Sequence, residues 1–193
     1  MKMVSFLMTA LRKPLMSVDE FMAWADRQPE TWELFDGVPM AMSPERVIHG
    51  ETKYRVARAL EEAIARSGAP CRFVLDSAAV PIDSKSSYQP DVMVYCGPPV
   101  SGDSLAIPNP VIVFEVLSPS NAIKDLRDKL QGYFKVASVQ HYLIVDPDTR
   151  IIIHHARGHD DAVLTRIVRD GDISLAPPGL LLASSDLFPQ NAG

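Results

Sequence analysis

The sequence predicts an α/β protein with a mixed β-sheet between helices. Three observations carry this. Segments of helical periodicity alternate with strand-like runs along the chain. Val111-Ile-Val-Phe-Glu-Val-Leu117 is a continuous apolar run of strand length, the pattern of a strand buried on both faces. The other strand-like runs are short and bounded by Gly, Pro, Asp and Ser, as turns require.

The elements follow in order. Ser17-Val-Asp-Glu20 is a capping-box pattern that opens a helix ended by Pro29. Asp36-Gly37 is a two-residue hairpin turn, and the arm before it alternates Trp32 and Leu34 against Glu33 and Phe35. A helix from about His49 to Arg66 carries the stripe Val56, Ala59, Leu60, Ala63 and Ile64, and Ser67-Gly68 closes it. Strands are predicted at Cys71–Leu75, Ala78–Ile82 and Asp91–Tyr95, with a polar loop at Lys85–Tyr88 between the last two. Gly97–Pro110 reads as a surface connection. After the Val111–Leu117 strand, Ser118-Pro-Ser-Asn121 caps a helix from about Ala122 to Ala137 whose stripe is Leu126, Leu130, Phe134 and Ala137. Strands His141–Val145 and Arg150–His155 flank the turn Asp146-Pro-Asp-Thr149. Weaker strands at Val163–Val168 and Ile173–Leu175 precede a short C-terminal element.

A length of 193 residues suits one domain, here residues 17–193, preceded by an N-terminal segment, 1–16. The apolar run Met3–Leu11 is too short to span a bilayer and lacks a signal-peptide cleavage site, so a cytoplasmic protein is expected. A net charge of −5 argues against binding nucleic acid by bulk positive charge, though not against a cationic groove. Cys71 and Cys96 fit neither a CxxC nor a zinc pattern; both read as free core thiols in a reducing compartment.

Two carboxylates do not fit an apolar core. Glu115 interrupts the most apolar strand, where a lone ionised acid is costly to desolvate. It must be paired, protonated, or aimed at water or a metal at a sheet edge. Asp91 opens another apolar strand directly after Pro90. Two strands delivering one acid each to a common point make an oxygen-rich site for Mg²⁺, which takes one or two carboxylates plus water. Lys129 lies i+4 from Asp125 on the following helix, with Tyr133 one turn on. That lysine either serves the site or forms a surface pair with Asp125 worth little energy. His154 and His155, adjacent on a strand, point to opposite faces and make no ligand pair.

Pro90-Asp91, Glu115-Val-Leu-Ser-Pro-Ser120, Asp125-x-x-x-Lys129-x-x-x-Tyr133 and Tyr142-Leu-Ile-Val-Asp-Pro147 occur in that order, after Trp32-Glu-Leu-Phe-Asp-Gly37, Met42-Ser-Pro44 and His49. The set resembles the Uma-type restriction endonucleases of the PD-(D/E)XK nuclease superfamily, over about Val18 to Ile153. The resemblance implies a restriction-endonuclease-like central sheet flanked by helices. It implies a Mg²⁺ or Mn²⁺ ion held by Asp91 and Glu115, hydrolysis of DNA by metal-activated water, and a homodimer. The superfamily signature has a lysine two residues after the glutamate, where this chain has Leu117; the resemblance moves that role to Lys129. Glu33 is either a third metal ligand or an exposed strand residue. His49 is either a ligand or phosphate contact, or structural or solvated. Asp125 and Tyr133 would orient Lys129. Two alternatives stand beside the endonuclease: a non-catalytic nucleic-acid-binding or protein-interaction module on the same fold, and a purely structural charge cluster.

Overall fold

Ser17 and Glu20 close the capping box in both directions: the Ser17 N–H donates to Glu20 at 2.8 Å and the Glu20 N–H to Ser17 Oγ at 3.3 Å. They open helix α1, Val18–Ala25. Strands β1 (Trp32–Phe35) and β2 (Val38–Ala41) form the hairpin, turning on Asp36 (φ 47°) and Gly37 (φ 83°). Two consecutive left-handed residues are what a tight hairpin turn demands, so Asp-Gly is well chosen here. Helix α2 spans Val47–Ser67 and ends on Gly68 (φ 66°), whose N–H caps the Ile64 carbonyl. Then come β3 (Cys71–Leu75), β4 (Val80–Asp83), β5 (Ser86–Tyr88), β6 (Val92–Cys96), β7 (Pro110–Val116), α3 (Ile123–Lys135), β8 (His141–Asp146), β9 (Ile151–Arg157) and β10 (Val163–Val168). The hairpin β11–β12 (Asp172–Leu175, Leu180–Ala183) and a 3-10 turn, Ser184–Leu187, follow.

The computed structural model describes residues 15–118, 123–160 and 162–188, and of residues 123–125 the backbone alone. Most of the N-terminal segment, the helix cap at 119–121 and the Asp125 and Lys124 side chains lie outside it.

The main sheet has six strands in the order β10-β9-β8-β7-β6-β3. Among the described residues only the β7–β8 pairing within it is parallel, bridged by the α3 crossover, so the sheet is mixed. One face packs Ile112, Phe114, Val92 and Leu143 against α2 and the C-terminal hairpin. The other packs Val113, Met93, Tyr142 and Ile144 against α3 and a second sheet, β2-β1-β5-β4. The long apolar strand is therefore buried on both sides, as its sequence requires.

Two expectations are corrected. Ser86–Tyr88 is a strand, because it pairs with both β1 and β4; its polar side chains are buried in the small sheet. Cys71 and Cys96 are not free thiols: they stand opposite each other on β3 and β6 and form a disulfide. A separation of 25 residues hides the pair in the sequence, and only the strand register brings them together. The bridge staples edge strand β3 to the sheet. Thiol titration of the unreduced, denatured protein is expected to find neither cysteine reactive. Reduction is expected to cost about 3 kcal/mol of stability through loop-closure entropy, read as a lower melting temperature.

Candidate active site

β6 and β7 run antiparallel with Val92 opposite Phe114. One step further along, the same register sets Asp91 opposite Glu115. Directly opposed residues share a sheet face with Cβ atoms about 5 Å apart, so two acids distant in sequence become neighbours. Alternation along β7 turns Glu115, with Val113, towards α3 and the small sheet.

From α3, the Lys129 ammonium donates to Glu115 at 2.9 Å and pairs with Glu33 of β1 at 3.0 Å. The Tyr133 hydroxyl donates to the same Glu115 oxygen at 2.6 Å. Glu33 also accepts the Gln89 N–H at 2.9 Å. Glu33, Asp91, Glu115 and Lys129 are only 4–6% exposed. The surface reading of Lys129 is thus overturned: its partners are buried acids on the sheets. Glu33 is buried in the site rather than exposed. Tyr133 orients the Glu115 carboxylate rather than Lys129, and Asp125's side chain lies outside the described residues.

His49 takes the structural role. Its Nδ1 accepts the Arg46 N–H at 3.1 Å, which leaves the proton on Nε2 to donate to the Leu117 carbonyl at 2.9 Å. The ring is a strut between α2 and the chain just past β7, with both nitrogens engaged. Leu117, where the superfamily signature has lysine, packs half-buried against the core beneath α3. Its N–H is bonded to Val145.

Lys53 belongs to no motif in the sequence, yet it joins the site. This α2 lysine is 4% exposed and pairs with Asp91 at 2.8 Å, Glu45 at 2.6 Å and Asp76 at 3.2 Å. Burial works to discharge it, but Asp91 and the other two acids outweigh burial and hold its pKa above the ordinary value. Lys53 is therefore a fixed cation, not a proton donor. It grips Asp91 Oδ1 while the Val116 N–H donates to Oδ2 at 2.5 Å. The available signal was its place four residues after His49, on the same face of α2.

Burial pushes the Glu115 carboxyl up to about 8 from its ordinary 4.5, with Asp91 and Glu33 pushing the same way and Lys129 and Tyr133 opposing. A raised acid favours the folded state below the unfolded value, and that benefit is lost as pH rises through the folded one. Metal-free protein is therefore expected to lose stability from Glu115 between pH 4.5 and about 8. Thermal melts of the parent and Glu115→Gln across that window isolate the contribution; the difference between the two curves should shift steadily in favour of the variant.

The acids open onto a groove of about 780 Å³ between the β1–β2 hairpin and α3. No group of three or more His, Cys, Asp or Glu among the described residues has its donors gathered as a metal cluster; the acids are held by lysines instead. The donor chemistry nevertheless suits a hard cation. Mg²⁺ needs only one or two carboxylates, and the crowding that raises Glu115 is what a divalent ion relieves.

In fold, the chain matches an α/β nuclease-type structure: the crystal structure of a putative nuclease belonging to DUF820 from Anabaena variabilis. The TM-score is 0.70 at 17% identity, covering 89% of this chain and 97% of that one. The chain belongs to the Uma2 family, described as putative restriction endonucleases, whose model matches residues 18–187. Two uncharacterized proteins of Synechocystis are also similar. One is 28% identical over 177 residues, 91% of this chain and 92% of the relative. The other is 25% identical over 156 residues, 80% and 88% of the two chains. No helix among the described residues is long and apolar enough to cross a membrane.

Proposed function

We propose that the protein is a metal-dependent endonuclease that hydrolyses phosphodiester bonds in DNA. The observation that supports this best is the placing of Asp91, just before β6 and bonded to the Val116 N–H of β7, beside Glu115, with Lys129 paired to Glu115 and to Glu33. Asp91 and Glu115 would hold Mg²⁺ or Mn²⁺, with Glu33 as a third acid. Bound there, the ion supplies charge to the scissile phosphate and acidifies a water. Lys53 and the Val116 N–H fix Asp91 from the side of α2 and β7. Tyr133 fixes Glu115 from below. Lys129 balances the acids at rest and stabilises negative charge that builds on a phosphate entering the groove. The Leu117 position needs no lysine, because Lys129 already reaches the same carboxylate from α3.

A cleavage assay with single-stranded, double-stranded and branched DNA tests this reading, with and without Mg²⁺ and with Glu115→Gln as control. Metal-dependent cutting that the variant lacks supports it. Absence of cutting with every substrate would point instead to a non-catalytic binding module on the nuclease fold. A homodimer and a cytoplasmic location belong to the same proposal, and in a reducing cytoplasm the Cys71–Cys96 bridge would form only on oxidation after release from the cell. The Cys71–Cys96 pair checks the location: alkylation of protein taken rapidly from cells should label both cysteines in a reducing compartment and neither in an oxidising one.

A further inference from the structure

The hairpin wall of the groove has a composition that the acids alone do not explain. The β1–β2 register pairs Glu33 with Met40 and Phe35 with Val38. Alternate pairs of an antiparallel ladder share one face. That face therefore presents one acid and three apolar side chains, with Met40 about one strand spacing from Glu33. Met40 is 53% exposed and Val38 40% exposed, and both line the groove. Phe35 is half-buried beside them, its ring stacked on Tyr88 at 4.6 Å between centroids. The facing wall, on α3, carries Arg127 and Lys135, each exposed and paired with one acid, Asp128 or Asp83.

From this arrangement, and resting on the nuclease reading above, we infer that the groove takes an unpaired DNA strand. One base lies against Met40, Val38 and Phe35, the backbone runs along α3, and the neighbouring phosphate reaches Asp91 and Glu115. Three physical points favour a single strand over a duplex. A duplex hides its base faces and is held through many phosphate contacts to cations. Here the walls are half apolar, and the chain carries a net charge of −5. An unpaired strand exposes base faces that gain from apolar and aromatic contact whatever the sequence. A volume of about 780 Å³ is also that of a pocket for one compact ligand, on the scale of a nucleotide or two, and not of an extended track.

Fluorescence anisotropy tests this on the full chain in Mg²⁺. The probes are a short labelled single strand, the same sequence as duplex, and the single strand with abasic residues; gels of the same mixtures read cleavage. The single strand is expected to bind at least about tenfold more tightly than the duplex, and the abasic strand to lose most of that margin. Met40→Ser, an exposed position that leaves the core untouched, is expected to weaken single-strand binding about fivefold and to leave duplex binding unchanged. Equal or tighter duplex binding, or no effect of Met40→Ser, overturns the inference. So does a Met40→Ser protein that changes oligomeric state without changing DNA affinity, which would make this face a contact between copies. The two readings fail separately. A single-strand preference without cutting keeps this inference and sinks the nuclease; equal cutting and binding of both forms does the reverse.

Discussion

Glu115→Gln is expected to lower Mg²⁺-dependent cleavage by at least about a hundredfold while leaving the fold intact. The substitution is clean for a geometric reason. Lys129 and Tyr133 both donate to the same oxygen, Oε1, so a glutamine carbonyl oxygen can accept both bonds. What is lost is the negative charge, and a hard cation depends on that charge. Asp91→Asn should be as damaging to activity but less neutral to stability. Lys53 holds Oδ1 and the Val116 N–H holds Oδ2, so both oxygens accept. An amide has only one acceptor atom, and one of the two donors would face an NH₂ group, at a cost of about 1–3 kcal/mol. Cleavage rates and melting curves of the two variants, measured side by side, check both statements. Parent-like cutting by Glu115→Gln would remove the carboxylate from the mechanism.

Lys129→Met is expected to have the largest effect on stability, a loss of about 3–5 kcal/mol in metal-free protein. The ammonium is the shared partner of Glu33 and Glu115, and all three groups are buried. Removing it leaves two carboxylates in a poorly solvated place. Part of the loss can be relieved by protonation, because burial and neighbouring acids already drive Glu115 upward. The deficit should therefore grow as pH rises towards 8 and shrink in acid. Combining Lys129→Met with Glu115→Gln should recover part of the loss, since the two changes act on one contact and are not additive. Denaturant melts at several pH values read all of this. A loss well under 1 kcal/mol would mean that Lys129 behaves as an exposed ion pair.

Local rules made much of the fold legible. The capping box at Ser17, the Asp36-Gly37 turn, the Gly68 cap and the doubly buried Val111–Leu117 run each follow from short-range physics, and each forms as expected. Register was not legible. Ser86–Tyr88 looked like a loop because Ser86 and Ser87 are polar; the pairing with β1, from far upstream in the chain, is what makes it a buried strand. Cys71 and Cys96 looked unrelated for the same reason.

The candidate site divides along the same line. Glu115 stood out because a charge inside an apolar strand needs an explanation, and Asp91 followed as its counterpart. Their proximity, however, follows only from extending the β6–β7 register one residue beyond Val92–Phe114. Lys53 was hidden because an isolated lysine on an amphipathic helix is ordinarily solvated; only three converging acids make it otherwise. His49 drew attention as a histidine near a site and proved to brace the chain beyond β7. Type and position of a residue suggested chemistry, while its hydrogen-bond partners decided its role.

Asp91 and Glu115 are proposed to form a site for a divalent cation. Calorimetric titration of the purified protein with Mn²⁺ tests it without reference to any substrate. The parent should show saturable binding that Glu115→Gln loses and Met40→Ser retains. No saturable heat in the parent, or equal binding by Glu115→Gln, would rule out a cation site there.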